Sequence, residues 1–525
     1  MRTIITSFFL FISTISTSSV EAENTLELTK NIIERFFSEG KVVTRLDTLS
    51  IHFYSDRNYR PVWNRQMALD FLEILKNSKN EGFVPEDYAS REIQKLLSEE
   101  AGDVISPSLE LLLTRNFLEY IKHLSQGILD PEEIYSLWAI EQAPTDYWQV
   151  LCDLSKAPNL HNYMTTFQPK TFNYKILRSY SVKYHRILRE GGWPQIDSGV
   201  VMKPGVQDDR LTQLRNRLWM TGDLAELDAQ NQLFDCQLED AVRNFQYRHG
   251  LEINGSIDDE TLNVLNIPVK EKLAIIQANM ERLRWFDADH PSRYFMVNIP
   301  AYQMKIIADE KVTLQMKVAV GKRYRQTPVF QAEMDHVVLN PYWVIPPSIL
   351  YYDVLPSIKK DIGYLDRLKI DVLSMEGDQI HPDSVDWSTA EKGNFPYMLR
   401  QDPGAGNALG KVKFMFPNKF NIYMHDTNHP EVFDKRDLAR SSGCVRLSEP
   451  MVLARHLLKD QLPKKVRGKH QTYLLKEKIP VYITYQTAFV DEQGRMHFRD
   501  DIYNKDKKLV EAMSAKCHAS SALFL

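Results

Sequence analysis

The chain has 525 residues, 43% of them apolar and 26% charged, with a formal net charge of −4 at pH 7. That length exceeds what one hydrophobic core supports and predicts about three domains. The composition excludes a disordered or fibrous chain, and a near-neutral balance without basic blocks or heptad runs excludes nucleic acid as a partner.

At the N-terminus, Arg2 precedes an apolar run from Ile4 to Ile15 that is broken only by Thr6, Ser7, Ser13 and Thr14, and Val20-Glu21-Ala22 supplies a small-x-small step. This predicts a cleavable secretory signal over 1–22. The alternative is a membrane anchor, but a spanning helix needs about 20 mostly apolar residues and this run is shorter. No other stretch is long and apolar enough to cross a bilayer, so no membrane span is expected after cleavage.

Residues 24–200 read as mainly helical. Leu69, Phe71, Leu72 and Leu75, and again Leu109, Leu112, Leu113 and Phe117, fall at helical spacing, the pattern of core packing. Between Leu211 and Ile267 the pattern tightens into a three-helix unit. Leu211, Leu214 and Leu218 mark its first helix; Asp235 caps a second that carries Leu238, Ala241, Val242 and Phe245 and ends at Gly250; Asn254-Gly255 turns the chain, and Asp258 caps a third with Leu262 and Leu265.

From Tyr294 the apolar period becomes two, through Phe295, Val297, Ile299, Met304, Ile306, Leu314, Met316, Val318 and Val320. Residues 348–402 form a charged insertion, longer than a connection inside a compact domain should be, which reads as a lid or as a surface ornament. Ile422 and Met424 predict a strand that ends at His425. Val481, Ile483 and Tyr485, and the two runs flanking Glu492-Gln493-Gly494, predict closing strands.

Two stretches carry the chemistry. Tyr423-Met424-His425-Asp426-Thr427 and Ser441-Ser442-Gly443-Cys444-Val445-Arg446-Leu447 set one histidine and one cysteine 19 residues apart. A thiol near its free pKa is only a few per cent thiolate at neutral pH, so an imidazole that takes its proton makes it a competent nucleophile. Gly443 allows close approach, and its N–H with that of Cys444 predicts an oxyanion site. Arg446 is a candidate clamp for a substrate carboxylate. Of the other cysteines, Cys152, Cys236 and Cys517, at least one must be unpaired if Cys444 is free, so the chain is no disulfide scaffold. His425 and His429 lie four apart, a zinc-ligand spacing on a helix; Asn428-His429-Pro430 is instead a loop sequence and no His-Glu-x-x-His occurs, so neither a metal nor a cofactor is predicted.

The two stretches resemble the catalytic motif of YkuD-type L,D-transpeptidases, a histidine upstream of Ser-His-Gly-Cys-x-Arg/Asn. Cys444 matches the nucleophile, His425 the base, Gly443 the preceding glycine and Arg446 the residue two beyond. Ser442 stands where many members have a second histidine. Residues 53–63 and 82–88 resemble the scaffold region of the long, YcbB-like members, Ala241 to Gln246 with Gly250-Leu251 and Thr261-Leu262 resemble a peptidoglycan-binding domain, and Gly321 to Pro328 again resembles the transpeptidase domain.

The resemblance implies a multidomain α+β chain: signal peptide 1–22, helical scaffold 23–204, small three-helix peptidoglycan-binding domain 205–268, linker helix 269–290 returning to the scaffold, mostly-β catalytic domain 291–500 with a capping insertion at 348–402, and C-terminal tail 501–525. It implies a periplasmic enzyme of a Gram-negative bacterium, active in cell-wall biogenesis and cell shape. Its partners would be peptidoglycan stem peptides, glycan and other cell-wall synthesis proteins. Catalysis would rest on Cys444, His425 and Gly443, with Arg446, Tyr423, Trp343, Ser441 and Ser442 around the substrate, carbapenems as inhibitors and diaminopimelate–diaminopimelate (3-3) cross-links as product. A zinc-dependent wall peptidase and a non-catalytic wall-binding scaffold are the competing readings.

Overall fold

The computed structural model describes residues 30–31, 44–100, 102–103, 105–142, 144–286, 291–462 and 468–522, with side chains as far as 516. The expected signal segment and the side chain of Cys517 lie outside the described residues. Among those residues no helix is long and apolar enough to cross a membrane.

The N-terminal region is helical because its caps and stripes agree. Helices Arg45–Asp56, Arg65–Lys76 and Pro107–Gln126 begin at Thr44, Asn64 and Ser106, whose side chains accept from the backbone N–H groups of Asp47, Met67 and Leu109. Each such cap stabilises its helix by about 1 kcal/mol. In the second helix the buried stripe is Ala68, Phe71, Leu72 and Leu75, while Leu69, expected in it, is 42% exposed. Residue 69 sits about 100° around the helix from 68 and so falls off the i, i+3, i+4, i+7 face.

The three-helix unit, Leu211–Thr221, Cys236–His249 and Asp259–Leu265, buries its predicted residues in a core of its own. Asp235 and Asp258 cap as expected, and Gly250 ends the second helix in the left-handed region at φ 69°. Helix Val269–Arg284 then runs back along helix Phe172–Arg189; Leu273, Ile276 and Met280 pack with Tyr174, Leu177 and Tyr184. Its polar side is buried too. Glu281 accepts from the N–H of Leu129 at 3.0 Å and pairs with Arg284 at 3.0 Å, while Arg282 pairs with Asp506 at 2.7 Å.

The strands among the described residues run in chain order from the scaffold's β1 (Trp138–Ala139). The next are β2 (Arg293–Asn298), β3 (Gln303–Ala308), β4 (Lys311–Gly321), β5 (Val329–Leu339), β6 (Trp343–Val344), β7 (Ile370–Ser374), β8 (Gln379–Ile380) and β9 (Tyr397–Gln401). The last are β10 (Val412–Met415), β11 (Met424–His425), β12 (Ala439–Ser441), β13 (Val445–Leu447), β14 (Gln471–Thr484), β15 (Ala488–Val490) and β16 (Met496–Phe498). The ladder β5, β10, β11, β13, β4, β3, β2, β14 returns from β14 to β5 and so closes a barrel. Closure leaves no free edge among these strands. β1 pairs in parallel with the start of β5, so the helical N-terminal region lends a strand to the barrel sheet. Phe295, Val297, Val318, Val337, Phe414, Met424 and Val445 fill the interior with no exposed surface.

The insertion has its own sheet, β6-β9-β7-β8, and its own core around Leu350, Val354, Val372 and Leu399. Trp343 pairs with Gln401 and Val344 with Arg400, so the chain leaves and re-enters the barrel at adjacent points, and the module begins ahead of the expected residue 348. The C-terminal segment, expected as a tail, forms helix Lys505–Ala522 because Leu509 and Met513 bury against the main core.

Candidate active site

Strand register assembles the site. Across β10, β11 and β13, Phe414 stands opposite Met424 and Met424 opposite Val445, all buried; one residue along, Lys413 stands opposite His425 and His425 opposite Arg446. Side chains alternate faces along a strand. The apolar row therefore points into the barrel, and Lys413, His425 and Arg446 share its outer face. Cys444, two residues before Arg446, falls on the same face beside Tyr423, whose carbonyl accepts from the N–H of Val445 at 3.1 Å.

The strand that carries His425 is only two residues long and does not include Ile422. Asp426 orients the ring. Nδ1 of His425 bonds the carbonyl of Asp426, and because a carbonyl can only accept, Nδ1 holds the proton and Nε2 presents a lone pair. Asp426 is held in turn by the N–H groups of Lys411 and Thr427, both at 2.7 Å. Burial, and next the Arg446 charge, hold the imidazole pKa down at about 3. His425 is thus a neutral base at any ordinary pH.

The Cys444 loop is equally constrained. Thr327 Oγ1 donates to the Gly443 carbonyl at 2.7 Å and accepts from the Gly321 N–H at 2.9 Å; Ser441 Oγ donates to the Cys444 carbonyl at 2.5 Å. Gly443 has φ 119°, which a side chain rarely adopts. Its N–H donates to Ser441 Oγ at 3.1 Å, so the expected pair of oxyanion donors is not there. Of the two, only the Cys444 N–H is left without a partner among the described residues.

Burial raises the Cys444 thiol pKa; the Tyr423 N–H, the Lys413 charge, the Tyr423 hydroxyl and the Arg446 charge act against that rise. The thiol lies 4.0 Å from the Asn421 carbonyl. The same Tyr423 hydroxyl is within hydrogen-bonding reach of Trp343, whose β6 position brings the base of the insertion to the site. Burial also lowers the pKa of Arg446, and its Nε is buried without a hydrogen-bond partner among the described residues. A desolvated, incompletely bonded guanidinium is what an incoming carboxylate would satisfy.

All eight sequence-derived residues, Cys444, His425, Gly443, Arg446, Tyr423, Trp343, Ser441 and Ser442, gather here, Ser441 and Gly443 as loop supports. His429 does not join them: it is exposed and 3.0 Å from Glu431, while His425 is buried, so the two share no ligand face. Among the described residues no group of three or more His, Cys, Asp or Glu could hold a metal. Cys152, Cys236 and Cys444 are free thiols. Sequence reasoning missed Lys413, whose Nζ lies 3.9 Å from the Tyr423 ring centre, and Arg325, which donates to Ser442 Oγ at 3.1 Å. The alternation Val412-Lys413-Phe414 could have put Lys413 on a polar strand face; nothing local reveals that His425 stands beside it.

Comparison with known proteins matches three regions of the chain. Residues 292–473 match the model of the L,D-transpeptidase catalytic domain, residues 207–265 that of the "Putative peptidoglycan binding domain", and residues 49–180 that of a scaffold domain. A "Putative L,D-transpeptidase" of Haemophilus influenzae is 33% identical over 286 residues, 53% of this chain and 56% of the relative, so the match spans little more than half of that protein's length. The L,D-transpeptidase (Yku) of Stackebrandtia nassauensis is 12% identical over 55% of this chain and 96% of its own, with a TM-score of 0.22. The L,D-transpeptidase of Mycobacterium smegmatis is 12% identical over 37% of this chain and 58% of its own, with a TM-score of 0.20, and both overlaps are too slight to bear on the fold. The chain carries a YkuD-type L,D-transpeptidase catalytic domain, with a peptidoglycan-binding domain and a helical scaffold ahead of it.

Proposed function

We propose that this chain is an exported, periplasmic enzyme that cross-links peptidoglycan stem peptides through a Cys444 acyl-enzyme. Cys444 attacks the carbonyl of the third, diaminopimelate residue of a stem tetrapeptide. Its proton passes to Nε2 of His425 and from there to the departing amine of D-alanine. The side-chain amine of another stem's diaminopimelate then attacks the thioester, forming a 3-3 cross-link and freeing the thiol; water or a lipoprotein lysine are other acceptors. The Cys444 N–H and the cations beside it stabilise charge on the carbonyl oxygen. Arg446 receives a carboxylate of the donor stem, and Tyr423 and Trp343 wall the pocket.

The observation that carries this reading is one sheet face bearing a thiol, a neutral imidazole with a free lone pair, and a guanidinium with no carboxylate of its own among the described residues. The test is incubation with disaccharide-tetrapeptide and identification of products by mass. Dimer plus free D-alanine is expected, with none from Cys444→Ala. Equal turnover by that variant would sink the reading. Carbapenems acylate Cys444 on the same view, giving an adduct by intact mass that the variant lacks.

A further inference from the structure

We infer that Lys413, together with Arg446, is the positive partner of the Cys444 thiolate, the role that an imidazolium would fill in a thiol–imidazole ion pair. The inference rests on Cys444 being the nucleophile. Lys413 is a positioning residue, acting on the sulfur through its field and through Tyr423.

Register puts Lys413 beside His425, and His425 beside Arg446, so two cations flank one imidazole on the face that holds the thiol. A second proton on that imidazole would face both of them, in a site where burial already opposes charge. Lys413 packs its ammonium 3.9 Å from the centre of the Tyr423 ring, and the Tyr423 hydroxyl reaches the thiol. Among the described residues neither Lys413 nor Arg446 has a carboxylate partner. Among the described residues the other charged groups beside these are Asp426, whose carboxylate accepts from the N–H groups of Lys411 and Thr427, and Arg325, from the loop after β4, which touches Ser442 and is already paired with Asp353 of the insertion. Anionic sulfur therefore meets unneutralised positive charge from β10 and from its own strand, while His425 stays available as a neutral base.

The test reads the thiol directly, in the full-length protein, by the pH dependence of iodoacetamide alkylation at the Cys444 peptide. Lys413→Met should raise the midpoint by about one pH unit, slowing alkylation about tenfold below it. Lys413→Arg should keep the midpoint, and His425→Gln should leave it in place while abolishing turnover. Lys413→Gln carries the same test if the methionine variant fails to fold. A midpoint that rises in His425→Gln and stays put in both neutral Lys413 variants would overturn the inference. Because alkylation needs no substrate, its outcome is separate from whether Cys444→Ala abolishes cross-linking.

Discussion

The guanidinium of Arg325 pairs with the carboxylate of Asp353, with Nη2 3.1 Å from Oδ1, and also donates to Ser442 Oγ at 3.1 Å, two residues before Cys444. Asp353 lies on a π-helical turn, Leu350–Val354, of the capping module. One side chain thus ties the module to the Cys444 loop. Its carboxylate partner is 48% exposed, so the pair contributes at most about 1 kcal/mol to global stability.

Asp353→Ala should therefore leave the melting temperature nearly unchanged yet loosen the coupling. Backbone hydrogen exchange should rise in residues 350–360 and in 441–444 together. Exchange that rises in the module alone would mean that Arg325 holds the Cys444 loop without help from the cap.

His425 and Cys444 titrate far apart. With His425 held at about 3, protonation of the imidazole cannot inhibit the enzyme between pH 5 and 8, and the thiol, pushed up by burial, should make rates climb toward alkaline pH. The initial rate of D-alanine release should show no acid limb near the ordinary histidine value of about 6.5. A limb there would contradict the neutral-base assignment.

Gly410 is where His425 depends on a missing side chain. A Cβ there would overlap the carboxylate of Asp426, and the residue has φ 61°. Gly410→Ala must displace that carboxylate, and the backbone carbonyl of the same residue orients the imidazole. The expected cost is about 1–3 kcal/mol of stability by denaturant unfolding, with a fall in turnover of about tenfold or more. Unchanged turnover would show that Asp426 can move without carrying His425.

The helical units were legible because local signals sufficed: caps at Asp235 and Asp258 and the stripe Leu238, Ala241, Val242, Phe245 act within a few residues. Cys444 and His425 were legible from spacing and flanking residues. Lys413, Arg325 and Thr327 were not, since each acts through strand or loop neighbours from 6 to 117 residues away. Leu69 shows the same limit within a helix, where a leucine one position off the stripe reads as core until the face is fixed. Gly443 shows it in a loop, where Ser441 Oγ takes the N–H that the motif alone leaves free. The C-terminal helix, too, is defined by what it covers, through Leu509 and Met513.

Arg282 gives the clearest stability prediction, because it joins three parts of the chain from a position 2% exposed. Nε donates to the scaffold's Tyr135 hydroxyl at 3.1 Å, and Nη1 reaches Asp506 of the C-terminal helix at 2.7 Å and Thr487 Oγ1, beyond β14, at 3.3 Å. Arg282→Met removes the cation and leaves the Asp506 carboxylate buried, with only the Thr487 hydroxyl opposite it among the described residues. Losing one member of a buried pair costs about 3–5 kcal/mol. Replacing Asp506 by Leu as well should recover part of that loss, since the uncompensated charge is gone. Calorimetry of the single variant should show a lower and broader transition as scaffold and barrel begin to unfold separately. If Arg282→Met melts as sharply and as high as the parent, the scaffold and the barrel are held together without Arg282, by their apolar core and the pairing of β1 with β5.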